Sequence, residues 1–387
     1  MLPCQLDAYA REVLVEVRRC EASGDDFIVE VSDSVLYPGG GGQPEDFGSV
    51  GDARVLAHLG ASAAAHTYRV DRAVPLGAAP IRLDWARRYD HMQQHTAQHV
   101  LSAIALGRFG WRTLAFHLNP KRSDLVLDGV VEAEALRELE AAANAVIRQA
   151  RSVRHRVVDP AAMETEEIRC RLLPAGHTGP LRVVEIEGVD VNTCGGTHIG
   201  NTAELQIIRI VAAEHQKGQT RVHYLAGERV RLDHRAAVER ARTMGELLSC
   251  GAADQVQGVE RALSRVWDAE REAKGLRAEL AGLLGATLEP DAHGVVAFHR
   301  EGGDMAFLNT LGQAVVAAQP ETTAFLTASA DGTTGPFLIL GPPERVAAVG
   351  RAVAALLEGR GGGKGGRFQG KATRIDRRGD AIGLFHD

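Results

Sequence analysis

Two histidines four residues apart, His95 and His99, stand in the stretch His95–Thr96–Ala97–Gln98–His99. On a helix such a pair projects from one face, so both imidazoles can converge on one ion. Alone, the pair fits two solvated helix histidines as well as a metal site. A second cluster, Cys194–Gly195–Gly196–Thr197–His198, supplies a thiolate and a third imidazole, both good zinc ligands. Its two glycines let a tight loop fold both side chains onto one point. His95, His99, Cys194 and His198 are together four nitrogen and sulfur donors, a set suited to tetrahedral zinc rather than magnesium or calcium. Four protein ligands ordinarily close a structural site. The wide separation of the two halves and a glycine-rich, pocket-like segment upstream leave a functional site equally open. A functional zinc would either activate water or position a substrate.

The upstream segment is Tyr37–Pro44, with four consecutive glycines, Gly39 to Gly42, and Gln43 ahead of a proline. Glycines without Cβ atoms allow positive φ and close approach of backbone amides to a ligand. A plain tight turn is the competing reading. Gln43, held between Gly42 and Pro44, carries an amide that could be aimed at a substrate. A third feature is the tail Gly359–Gly370, where glycines alternate with cations. Arg360, Lys364, Arg367, Lys371, Arg374, Arg377 and Arg378 crowd it, opposed by Asp376 and Asp380. Glycine plus cation suits a phosphate backbone; a flexible basic loop is the alternative.

Around these residues the chain reads as α+β. At 387 residues it is long enough for two to three domains. Its net charge of −6 gives no global basic field, so nucleic-acid contact would rest on local patches. No run of about 18 apolar residues exists to span a membrane, and the first residues lack the pattern of a secretory signal. Five scattered cysteines do not form a disulfide framework, which points to a reducing, cytoplasmic setting.

Alternating patterns at Glu12–Val17, Phe27–Val31, His66–Val70 and Pro80–Trp85 predict strands and, with the turns between them, a small barrel or closed sheet. Apolar spacing predicts a helix from Arg87 to about Gly107, carrying the histidine pair. A second helix is predicted from Glu132 to about Ala150, with Arg148, Arg151, Arg154 and Arg156 as a basic, solvated helix end. Strands are expected at Phe116–Leu118, Asp124–Asp128, Leu181–Ile186, Leu205–Ile210 and Arg221–Leu225. From Glu228 to Gly285, long helices broken near Cys250 form an arm or a coiled-coil dimer interface. A last α/β unit follows from residue 290. The expected division is a barrel-like domain over 1–90, an α/β zinc-binding domain over 91–228, a helical, coiled-coil-like arm over 229–288 and a glycine-rich domain over 289–387.

The motifs Tyr37–Pro44, His95–His99 and Cys194–His198, in that order, resemble those of the alanyl-tRNA editing proteins. These are relatives of the editing half of alanyl-tRNA synthetase and of the second domain of threonyl-tRNA synthetase. The tail at Gly361–Gly366 resembles the C-terminal domain of alanyl-tRNA synthetase. The resemblance implies a zinc-dependent hydrolase that deacylates mischarged tRNA, chiefly Ser-tRNA(Ala) and also Gly-tRNA(Ala). With no room for ATP-binding motifs in residues 1–90, it implies no aminoacylation. It makes His95, His99, Cys194 and His198 the zinc ligands. It places Gln43, Gly41 and Gly42 in the catalytic pocket, with backbone amides of Gly40–Gly42 or Gly195–Gly196 stabilising an oxyanion. Lys364, Arg367, Lys371 and Arg374 would bind tRNA(Ala), and the arm or the last domain would pair two copies of the chain. Gly39 stands where the family often has a larger or polar residue, so the group that contacts a serine hydroxyl stays open among Thr96, Thr197 and Gln43. A zinc-stabilised, non-catalytic tRNA-binding module and a metal hydrolase of another ester are the competing classes.

Overall fold

Alternation of apolar and polar residues closes the first part of the chain into a six-stranded antiparallel barrel, as expected. In the computed structural model, which describes residues 1–386 except 63–64, 161–162, 164–165, 167 and 171–178, a short helix α1 (Pro3–Leu6) precedes it. The strands are β1 (Glu12–Ser23), β2 (Asp26–Val31), β3 (Gly48–Val50), β4 (Ala53–Ala61), β5 (His66–Val70) and β6 (Gly77–Leu83), ordered β1-β2-β5-β4-β3-β6 with β6 pairing back to β1. Val15, Val17, Val29, Val31, Tyr68 and Ile81 fill the interior while Leu14 and Glu16 face out. Each such fully buried side chain contributes about 1.5–3 kcal/mol of transfer free energy. β3 and β4 escape the sequence reading, because Ala, Gly and His dilute their alternation.

The histidine helix α2 runs Trp85–Phe109. Asp84 caps its start by accepting Arg87 N–H (3.2 Å), and Gly110, at φ +73°, ends it in a left-handed cap. Every residue from His91 to Ser102 is buried, although eight of the twelve are polar. A helix so placed must find internal partners for most of its polar groups. Gln94 does so by imitating a strand: its carboxamide donates to Ala226 O (2.9 Å) and accepts from Ala226 N–H (3.0 Å). Gln93 donates to Glu204 O (2.7 Å).

α2 is covered by a four-stranded sheet, ordered β12-β13-β8-β7, built from β7 (Thr113–His117), β8 (Ser123–Leu127), β12 (Ile208–Gln216) and β13 (Gln219–Ala226). Helix α3 (Ala133–Arg148) packs beside it through Leu139, Ala143 and Ile147. A second, three-stranded sheet has β10 (Leu181–Ile186) between β9 (Val153–Val158) and β11 (Asp190–Thr193). Two sequence readings change here. Arg154 and Arg156 belong to strand β9 rather than to a helix end, and Arg156 pairs with Glu166 and Glu185. Leu205 ends a 3₁₀ turn (Thr202–Leu205) capped by Asn201, so the strand begins only at Ile208.

Two compact units divide the chain, one ending at Ala241 and the other starting at Arg242, within helix α4 (Glu228–Leu248). The second unit holds α5 (Gln255–Thr287) and a five-stranded sheet ordered β14-β15-β16-β18-β17. Its strands are β14 (Val295–Glu301), β15 (Thr323–Ser329), β16 (Gly335–Leu340), β17 (Arg360–Gly363) and β18 (Arg367–Ala372). Helices α6 (Met305–Ala318) and α7 (Pro343–Leu356) pack on this sheet, and α8 (Arg378–Gly383) follows it. The glycine-rich tail is therefore a hairpin, β17 paired with β18, not a loop. β17, an Arg followed by three glycines, carries little strand propensity; pairing with β18, whose Phe368 is buried in the core, orders it. Among the described residues no helix is long and apolar enough to cross a membrane.

Candidate active site

The two half-sites meet. His95 and His99 come from one face of α2, Cys194 and His198 from the loop after β11, and their ligand atoms all lie within 4.8 Å of one another. Cys194 Sγ is 3.4 Å from His95 Nε2 and 3.3 Å from His198 Nε2. The three imidazoles are almost completely buried.

A second layer fixes the ring orientations. His95 Nδ1 donates to Gln43 Oε1 (2.8 Å), His99 Nδ1 to Asp190 Oδ2 (3.2 Å), and His198 Nδ1 lies 3.1 Å from Thr96 Oγ1. Asp190 is gripped in turn by Arg169 at 2.9 and 2.6 Å. With each Nδ1 engaged, the Nε2 atoms are free to serve a common centre, the arrangement that orients histidine ligands in metal sites. Burial opposes charge on the Cys194 thiol, but the His95 and His198 imidazoles overcome it and hold the thiol well below its ordinary range. Burial brings His198 down to about 3. Burial would lower His99 as well, yet its bonds to Asp190 and Cys194 outweigh that and raise it to about 9. A thiol inclined to ionise beside three fixed imidazoles fits a divalent, borderline-soft metal ion.

The loop carrying Cys194 is held from behind. Arg182 donates to Cys194 O (2.7 Å) and Gly196 O (3.0 Å), and Gln5 Nε2 donates to Gly195 O (2.8 Å). Gly196 packs so closely that a Cβ there would lie 2.3 Å from His95 Cε1 and 2.6 Å from Gln43 Oε1. Gly196→Ala is therefore expected to displace His95 and weaken metal binding by about 10- to 100-fold, read by competition with a chelator; an unchanged affinity would sink this account.

Beside the cluster opens a cavity of about 990 Å³. Tyr37–Gly41, His95, Gln98, Phe116, Arg169 and Cys194 are among its walls; Arg112, Arg169 and Arg182 line it, and among the described residues no carboxylate does. Gly39 to Gly42 all adopt positive φ (+86°, +121°, +59° and +93°), a run that only glycine sustains without strain. Gly41 lines the cavity, and its N–H has no partner among the described residues. Gly40 N–H is spent on Gln43 O (3.0 Å), and Gly42 turns against Phe116. Gln43 is 2% exposed, and its carboxamide is aimed at His95 and Thr197 rather than into the cavity. Thr96 and Thr197 are fully buried in the same network. Lys364, Arg367, Lys371 and Arg374 lie in the other unit. Arg374 is paired with Asp376 (2.8 Å) and Arg367 is bonded to Asn309 (2.8 Å), whereas Lys364 and Lys371 are exposed and have no ion-pair partner among the described residues.

Sequence reasoning missed Asp190, Arg169, Arg182 and the pair Asp46–Arg88. Asp190 lies 91 positions from His99, and no local spacing announces such a partner.

Comparison with known proteins follows this geometry. Residues 181–223, which include Cys194 and His198, match the family described as threonyl and alanyl tRNA synthetase second additional domain. The mouse protein named alanyl-tRNA editing protein Aarsd1 is 38% identical over 99% of this chain and 97% of its own length. The zebrafish (Danio rerio) protein of that name is 34% identical, again over 99% and 97%. An alanine–tRNA ligase from Methanococcus aeolicus is 31% identical over 52% of this chain and 23% of the ligase. Identity at this level across nearly the whole of both chains means that the chain belongs to the alanyl-tRNA editing protein family.

Proposed function

We propose that this protein is a trans-editing hydrolase that cleaves the ester of mischarged tRNA(Ala), chiefly Ser-tRNA(Ala) and also Gly-tRNA(Ala), with zinc at His95, His99, Cys194 and His198. The observation that carries this reading is the convergence of those four donors on the wall of a cavity that three arginines line and, among the described residues, no carboxylate does. An RNA end brings negative charge, and such a lining admits it without repulsion.

Zinc bound there would supply Lewis acidity to the ester carbonyl or to water. The chain's own groups do the rest. The Gly41 N–H is placed to stabilise an oxyanion; Gly40 N–H is not available, being bonded to Gln43. Gln43 acts by holding His95 and Thr197 in register, a positioning role in place of the substrate contact inferred from sequence. Arg169 acts through Asp190 on His99. In the four-part division, residues 91–228 carry the chemistry and residues 289–387 hold the tRNA body. The exposed apolar residues Leu247, Val256, Trp267 and Leu283 of α4 and α5 fit a partner helix from a second copy.

The test is a deacylation panel of mischarged tRNAs with the purified protein. Ser-tRNA(Ala) is expected to be hydrolysed fastest, and no hydrolysis of any member refutes the reading in favour of a binding module. In the same assay, Lys364→Ala and Lys371→Ala should each lower the salt slope of tRNA binding by about one and spare a minimal aminoacyl-CCA substrate. Equal loss on both substrates would assign the tail a structural role.

A further inference from the structure

The hydrolase reading leaves open which group senses the acyl side chain, and the three residues weighed from sequence are all engaged elsewhere. Thr96, Thr197 and Gln43 are at most 2% exposed, and none lines the cavity. Gln98 differs. It follows His95 by three residues on α2, so it extends the ligand-bearing face, and it lines the cavity with His95 and His99. It is 3% exposed. Its Nε2 donates to Ser102 Oγ (2.7 Å), and Ser102 Oγ lies 2.7 Å from Thr113 Oγ1. Its Oε1 is buried and has no hydrogen-bond partner among the described residues. A polar row, Thr113–Ser102–Gln98, thus runs along the cavity wall toward the histidine cluster, and its Gln98 end carries the unsatisfied acceptor.

Buried polar atoms are rarely left unpaired, and an orphan acceptor carries its full desolvation cost until a donor arrives. We infer that Gln98 Oε1 accepts the side-chain hydroxyl of a seryl group, and that this bond sets the preference for seryl over unhydroxylated acyl groups. The inference rests on the hydrolase reading and deepens it. Physically, a site built to bond a hydroxyl discriminates strongly against an analogue lacking it, because the buried partner then stays unpaired. Arg112 and Arg169 are paired with Asp128 and Asp190, but Arg182 on the same wall bonds backbone carbonyls instead of a carboxylate, and its charge disfavours a cation there, which points Gln98 to the hydroxyl rather than to the α-ammonium.

The test compares kcat/KM for seryl- and glycyl-tRNA(Ala) in the zinc-loaded wild-type protein, in Gln98→Met, which has no acceptor at similar length, and in Gln98→Glu, which keeps one. Zinc content and melting temperature are recorded for each. The seryl-to-glycyl ratio is expected to fall by roughly ten- to a hundredfold in Gln98→Met and to stay nearer wild type in Gln98→Glu. A ratio unmoved in Gln98→Met, whether both rates fall together or neither does, overturns the assignment. An arm free of any folding defect uses the wild-type protein with O-methylseryl-tRNA(Ala), whose side chain cannot donate. A drop of about tenfold or more supports the bond, and equal rates overturn it. Absence of deacylation by the wild-type protein would overturn the hydrolase reading itself, whereas deacylation with an unmoved ratio overturns only the role of Gln98.

Discussion

Cys194→Ala is expected to empty the cluster of metal and to slow deacylation of Ser-tRNA(Ala) by about a thousandfold or more, a loss of several kcal/mol of charge stabilisation. The thiol is the only sulfur donor of the set, and it approaches His95 and His198 within 3.4 Å. Removing it leaves three imidazoles around a site that has lost its negative ligand. The backbone should tolerate the change, because Arg182 holds Cys194 and Gly196 through their carbonyls, not through the sulfur. Circular dichroism should therefore match wild type while bound zinc, measured by elemental analysis, falls. Metal lost with deacylation unchanged would make the ion a structural staple and move the chemistry elsewhere in the cavity.

The largest stability effect is expected at Arg88. Its guanidinium is fully buried and donates to Asp46 Oδ2 through Nε (2.7 Å) and Nη2 (2.5 Å), to Val35 O (2.6 Å) and to Ala8 O (2.9 Å). Asp46 also accepts Tyr37 N–H (2.8 Å) at the base of the glycine loop. One ion pair thus ties the barrel and the loop to the helix that carries His95 and His99. Arg88→Met strands a buried carboxylate, which costs about 3–5 kcal/mol. For a unit of this size that lowers the melting temperature by roughly 10 °C. Arg88→Met/Asp46→Leu, which removes both charges, should recover part of the loss, because a buried pair replaced by apolar groups is nearly neutral. A single-variant shift below about 2 °C, or a double variant no better than the single, would show that the pair does not hold the unit together.

Much of the site was legible because it is written in local spacing. The i, i+4 histidines, the four glycines and the Cys–Gly–Gly–Thr–His loop each declare their geometry within a few residues. The strand β9 was hidden for the opposite reason. Its arginines alternate on a solvated face, and a basic run after a helix reads as that helix's end. The tail hairpin was hidden because glycine carries no side-chain pattern. Pairing of β18 with β16 and burial of Phe368 and Ala372 give it order.

The sequence by itself determined the donor set, the barrel and the glycine-rich loop, since each follows from residue type at short range. Only the tertiary structure decided what those residues do to one another. Asp190 orients His99 from 91 positions away, Gln43 turns to His95 instead of the cavity, and among the described residues Gln98 is left with an unpaired oxygen beside the cluster. These assignments depend on which polar groups find partners once the middle of α2, from His91 to Ser102, is buried on every side. Burial of that kind is a property of the packed whole, which no stretch of the chain encodes alone.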